Sequence, residues 1–219
     1  CRDLLSDLPE HVLAPPGADH AGPTASPEDV TARSRESGPL RLLFVGNVTP
    51  RKGLLAALHS LARIPETRWK LDVAGDTRRD PRYTQRIRRF LTQQGLNDRV
   101  SLLGRVPDDE LDRLYRQSHV LYMPFAYEGY GIVFDEAMMH GLPIVTCRVG
   151  AVPDTVDKGA GLLVPPDDPD ALAHAIRAFL TDDALRDTVA AGALRAANDL
   201  PGWPATAQVV AGALWGPVP

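Results

Sequence analysis

Two carboxylates and two adjacent cations carry most of the chemistry in this sequence. Glu128 stands in the glycine-flexed loop Glu128-Gly129-Tyr130-Gly131, and Glu136 in the apolar run that follows. Gly141-Leu142-Pro143 then leads into a strand. Glycines at 129 and 131 let backbone come close to a ligand. A helix beginning near Gly131 points its unbonded N–H groups, those of Ile132 and Val133 among them, and its positive dipole end at that ligand, which suits a phosphate. An ionised carboxylate only accepts hydrogen bonds, so two of them there suit hydroxyl recognition. Arg51 and Lys52 close the loop Gly46-Asn47-Val48-Thr49-Pro50-Arg51-Lys52-Gly53 at a helix start. Positive charge there opposes the helix dipole, and a diphosphate would offset it. Lys52 would act as a point charge and Arg51 as a forked donor. Two solvated surface cations are the competing reading. Together the four residues describe a nucleotide-sugar site.

Other chemistries lack their residues. No Gly-Lys-Ser/Thr follows the first glycine loop, and the Gly-x-Gly-x-x-Gly dinucleotide fingerprint is absent. Cys1 and Cys147 make neither a disulfide framework nor a zinc site, and no ligand spacing points to a bound metal. Asp168-Pro169-Asp170 imitates an Asp-x-Asp metal motif, but Pro169 just inside a helix start marks Asp168 as a cap. His140, at the end of the central helix, fits a helix C-terminal interaction and takes no catalytic role. Cys147, at a strand end, packs as a small hydrophobe.

These side chains need a frame. The chain has 219 residues, 44% of them hydrophobic, enough to fold as one domain. A formal net charge of -4 argues against a nucleic-acid partner. No apolar run reaches membrane-spanning length and no secretory signal is visible, so the cytoplasm is the expected location. Strands are expected at 40–45, 69–74, 100–103, 120–123, 144–146 and 161–164. Helical spacing covers 50–64, 83–94, 108–118, 131–140 and 169–180. This alternation predicts an α/β fold, a doubly wound Rossmann-like parallel sheet with helices on both faces. Ligands in such sheets sit beyond the carboxyl ends of the strands, where every candidate motif falls. Residues 1–39 read as an opening segment and linker, partly disordered, with 21–39 a Pro-, Gly- and Ser-rich loop. Residues 40–200 read as the Rossmann-like domain and 201–219 as a terminal helix and tail.

The run from Glu128 through Glu136 to Gly141-Leu142-Pro143 resembles the donor-binding motif of the family 4, or group 1, retaining glycosyltransferases. Lys52-Gly53 matches a second family element. Leu103-Gly104-Arg105-Val106-Pro107 resembles the segment whose backbone, at Arg105 and Val106, reads the nucleobase edge. The resemblance implies that Glu136 holds the ribose hydroxyls and Glu128 contacts the donor sugar. It also implies that Lys52 and Arg51, with the amides after Gly129 and Gly131, stabilise the diphosphate. Gly46, Asn47 and Tyr130 belong to the same donor set. Where the family usually carries an arginine shortly after the glycine, this chain has Asn47; either Arg51 takes that role or the site is weaker. Gly150-Ala151-Val152-Pro153-Asp154 and the glycines from 159 resemble later elements that shape the pocket rim.

Leu13-Ala14-Pro15-Pro16-Gly17-Ala18-Asp19 resembles the turn by which these enzymes enter the second domain of their two-domain GT-B architecture. The chain is therefore expected to be the donor-binding half of a longer enzyme, with an acceptor domain as its missing partner, no cofactor, no metal and little activity alone. Peripheral attachment at the inner membrane face is expected of the full-length enzyme. The terminal helix, from Trp203, is expected to cross back onto that other domain; without it the helix would dock on its own sheet, dimerise or fray. Two further readings stay open. A glycoside hydrolase would use the two glutamates as an acid and a nucleophile or base. A non-catalytic nucleotide-sugar-binding module or degenerate pseudo-enzyme would bind a donor without transferring it.

Overall fold

A computed structural model describes residues 14–17, 23–156 and 159–215. Cys1 lies outside these residues, as do the ends of the domain-entry turn expected at 13–19. Six strands form one parallel sheet: β1 (Leu40–Val45), β2 (Trp69–Ala74), β3 (Val100–Gly104), β4 (Val120–Met123), β5 (Ile144–Cys147) and β6 (Gly161–Val164). Their order is β3-β2-β1-β4-β5-β6. The winding reverses between β1 and β4, and that reversal opens a crevice at their carboxyl ends. β4 and β5 are buried throughout, which is why they read as unbroken apolar runs rather than alternating ones.

The connecting helices are α2 (Leu54–Leu61), α3 (Pro81–Gln93), α4 (Asp108–Gln117), α5 (Ile132–Met139), α6 (Val152–Val156), α7 (Pro169–Thr181), α8 (Asp183–Asn198) and α9 (Trp203–Trp215). α2 packs on α7, and α5 on α8. Asp168 caps α7, its carboxylate accepting from the Asp170 and Ala171 amides at 3.1 and 2.8 Å. Cys147 lies buried in the core, and burial first, then the Asp167 charge, pushes its thiol up to about 11. α9 lies against the 14–17 segment, where the Thr206 hydroxyl donates to the Pro15 carbonyl at 2.8 Å. Trp203, Val209, Val210, Leu214 and Trp215 on it stay exposed.

The expected helix over 50–64 is broken. Pro50–Lys52 forms a 3-10 turn, and Gly53 adopts φ 80 before α2 begins. A larger correction concerns the expected 21–39 loop, in which Pro27–Ser34 forms a helix, α1. Ser26 Oγ accepts from the Asp29 amide at 3.1 Å and the Asp29 carboxylate accepts from the Ser26 amide at 3.0 Å, a capping box with Pro27 just inside it. α1 packs on α8. From it the buried Arg33 donates to the carbonyls of His140 (3.1 Å) and Gly141 (2.6 Å), and just before it the Thr24 amide donates to the Met139 carbonyl (2.7 Å). Carbonyls that end a helix have no partner within it. α1 thus satisfies the end of α5, the helix that carries Glu136.

Beside this strap His119 is buried and neutral. Its Nδ1 accepts from the Arg41 amide at 2.8 Å and its Nε2 faces the Arg33 carbonyl at 3.1 Å. Burial, then the Arg41 charge, lowers its pKa from 6.5 to about 4. The folded value lies below the unfolded one, so the stability is complete above pH 6.5 and is lost as pH falls toward about 4. The expected loss is about 3 kcal/mol. Urea denaturation across that range checks it, and a His119→Gln chain that keeps the full slope between about pH 6.5 and 5 would remove His119 as the cause.

Candidate functional site at the carboxyl edge of the sheet

The crevice starts where β1 and β4 part. Their ladder pairs Leu42 with Val120 and Leu43 with Leu121. Two residues further on, the Val45 amide donates to the Met123 sulfur at 3.2 Å. The loops leaving these strands then meet again. At Gly53 a Cβ would sit 1.8 Å from the Pro124 carbonyl oxygen, so only glycine allows both the contact and the left-handed backbone. The Ala126 amide donates to the Arg51 carbonyl at 3.2 Å, a second stitch between the loops.

Over these stitches the cations of one loop reach the carboxylate of the other. Lys52 Nζ lies 3.0 Å from Glu128 Oε2, and Arg51 Nη1 lies 3.4 Å from the same oxygen. The Gly129 amide donates to Glu128 Oε1 at 3.0 Å. Lys52 also stands 4.6 Å over the Phe125 ring, an added attraction for its charge. Glu128 is largely covered, with a side-chain exposure of 12%. Partial burial alone would raise its pKa, but Lys52, the Gly129 amide and Arg51 outweigh burial and hold it below the ordinary carboxylate range. The Gly150–Ala151 turn supports this loop, the Ala151 amide donating to the Glu128 carbonyl at 3.2 Å.

α5 begins directly after the loop. Its N-cap is Gly131, at φ 87, and no side chain caps it, which leaves the first-turn amides at Ile132 and Val133 without a capping group. Phe134 anchors the helix, its ring edge-on to Phe125 at 5.6 Å. Such pairs contribute about 0.5–1.5 kcal/mol beyond their burial. The Tyr130 phenol is pushed up by burial and by the Asp135 carboxylate that it bonds. Glu136, half-buried on the next turn, accepts from the Tyr115 hydroxyl at 2.6 Å.

Of the residues expected from sequence, Arg51, Lys52, Glu128 and Gly129 form one cluster. The Lys52 side chain passes over Gly46, where a Cβ would lie 3.5 Å from it. Asn47 is tied to the next loop, its side-chain oxygen accepting from the Asp76 amide at 3.2 Å. That loop is tied onward, through the Gly75 amide and the Gly104 carbonyl at 2.8 Å, to the turn carrying Arg105 and Val106. Glu136 joins the same edge through α5. His140 keeps a structural role, with Nδ1 on the Glu136 carbonyl at 2.7 Å and Nε2 on Asp112 at 2.9 Å. Sequence reasoning missed Tyr115 and Asp112; both belong to the amphipathic α4, and nothing local marks what they touch.

A cavity of about 510 Å³ lies behind the stitched loops, lined by Gly53, Leu55, Tyr83, Phe125 and Cys147; Lys52, Glu128 and Glu136 do not line it. Among the described residues no group of three or more His, Cys, Asp or Glu is placed to hold a metal ion. Nor is any described helix long and apolar enough to cross a membrane.

Residues 39–182 match the profile described as Glycosyl transferases group 1. D-inositol 3-phosphate glycosyltransferase from Corynebacterium efficiens is 31% identical over 224 residues, covering 94% of this chain and 53% of that protein. O-antigen chain mannosyltransferase B from Escherichia coli is 32% identical over 171 residues, covering 77% and 44%. Sucrose-phosphate synthase from Thermosynechococcus elongatus superposes with TM-score 0.72 at 31% identity, over 89% of this chain and 48% of that one. The chain spans about half the length of the curated relatives it matches. The six-stranded parallel sheet, the motifs at its carboxyl edge and these relatives agree: the chain belongs to the group 1 glycosyltransferases.

Proposed function

We propose that this chain is the donor-binding half of a retaining glycosyltransferase that uses a nucleoside-diphosphate sugar. The observation that carries the proposal is the meeting of Lys52 and Arg51 with Glu128 across the β1–β4 crevice, beside the open start of α5. Glu136 takes the ribose hydroxyls and Glu128 the donor sugar. The Gly104–Val106 backbone takes the base, with Gly46 and Asn47 shaping the floor. Lys52, Arg51 and the amides from Gly129 to Val133 take the diphosphate. In the reaction the bond between the anomeric carbon and the diphosphate oxygen breaks. The acceptor oxygen bonds to that carbon on the same face, and its proton leaves with the diphosphate. Charge grows on the departing phosphate, so cations and amides aimed at it lower the barrier. They fill the role a metal would otherwise take, and no metal is required. Acceptor contacts come from a domain outside this chain, in a cytoplasmic enzyme peripheral to the membrane.

In a hydrolase Glu128 could not be the general acid, since Lys52 favours its ionised form, and that reading gives the Arg51–Lys52 pair no purpose. A thermal-shift panel of UDP, GDP, ADP, TDP and their sugars tests the donor site. A nucleotide at a hundred times its Kd stabilises by about 2.7 kcal/mol. The shift should survive EDTA and shrink in Glu136→Ala; a shift left unchanged there would sink the ribose assignment. No shift at millimolar concentrations of any of them would sink the donor site. Restoring an acceptor domain separates enzyme from binding module, since only the enzyme then transfers sugar.

A further inference from the structure

Glu136 does not stand alone on α5. Asp112 and Tyr115, three residues apart and so on one face of α4, both reach across to it. The Tyr115 hydroxyl donates to Glu136 Oε2 at 2.6 Å, and Asp112 Oδ1 bonds His140 Nε2 at 2.9 Å. His140 returns through Nδ1 to the Glu136 carbonyl at 2.7 Å. The Tyr115 and His140 rings stack at 5.0 Å with 17° between their planes. Tyr115 is 2% exposed, its ring fixed by the core.

We infer that Tyr115 is a positioning residue for the donor's ribose: its hydroxyl holds Oε2 of Glu136 so that the carboxylate presents its open side to the sugar diol. This rests on the assignment of Glu136 to the ribose. A free glutamate has several rotamers, and fixing one on binding costs affinity. Tyr115 removes that cost before the nucleotide arrives. A hydrogen bond from a buried phenol to a carboxylate is also among the stronger kinds. The contact therefore favours ribonucleotides over analogues without the two hydroxyls, although Tyr115 itself touches no ligand.

The test compares UDP, GDP and ADP with their 2′,3′-dideoxy counterparts on the 219-residue chain and on Tyr115→Phe. The wild type is expected to prefer the ribose form by about tenfold or more. Tyr115→Phe should cut that preference about fivefold while leaving dideoxy affinity unchanged. Tyr115→Met serves as a second donor-less variant should the first fail to fold. Asp112→Ala, which spares the hydroxyl, should keep the preference. An unchanged preference in folded Tyr115→Phe overturns the inference, as does an equal loss for both analogue classes or a loss in Asp112→Ala as large as in Tyr115→Phe. A wild type that binds the diphosphates without preferring ribose instead overturns the Glu136 assignment, and Tyr115 falls with it.

Discussion

Lys52→Ala is expected to weaken UDP binding by about 10- to 100-fold and to leave uridine binding unchanged, as read by titration calorimetry. The contrast follows from what Lys52 touches. Its ammonium lies 3.0 Å from Glu128, and in the proposed site a diphosphate would gain a charged donor there that a nucleoside would not. Glu128→Gln should act in the opposite direction. In the unliganded protein that carboxylate occupies Lys52 and sets a negative charge beside the proposed diphosphate position. Removing the charge frees the cation, so UDP should bind tighter. A UDP-sugar should gain less, because the residue proposed to accept from the sugar is weakened. Equal losses of UDP and uridine in Lys52→Ala would mean a collapsed site and would remove Lys52 from the diphosphate.

Gly53→Ala should destabilise the chain by more than about 3 kcal/mol in urea denaturation, far beyond an ordinary surface change. Two costs combine. A methyl group at φ 80 is strained, and here it would lie 1.8 Å from the backbone oxygen of Pro124. Backbone cannot step aside as a side-chain tip can, so one loop must lift off the other. Gly95→Ala is the control. Gly95 has φ 63 but nothing within 4 Å of the added carbon, so it carries the strain alone, about 1 kcal/mol. Similar losses at the two positions would show that the loops do not need their close approach.

The strands were legible because each is a short apolar run bounded by turn residues, and parallel strands buried on both faces look like that. The site loops were legible because glycines and charges interrupt those runs. Other features were hidden for identifiable reasons. α1 lies in a stretch rich in Pro, Ser and charge, and its signal is a capping box built from Ser26 and Asp29 rather than an apolar stripe. α8 escaped because its buried face is largely small, with Ala190, Gly192, Ala193 and Ala197; at Gly192 a Cβ would meet the Gly159 carbonyl at 2.0 Å. The break at Gly53 is imposed by Pro124, 71 positions away in a chain whose local spacing there is helical. Tyr115 and Glu136 are likewise joined only by tertiary packing.

The parting of β1 and β4 has a mechanical consequence. Beyond Leu43 and Leu121 the two wings of the sheet are held at this edge by a thioether contact, the crossing of two loops and the ion pairs to Glu128. One wing brings Arg51 and Lys52; the other brings Glu128, α5 and Glu136. A ligand gripped by both acts as a rivet through a seam. The energy that recognises the nucleotide then also fastens one half of the molecule to the other.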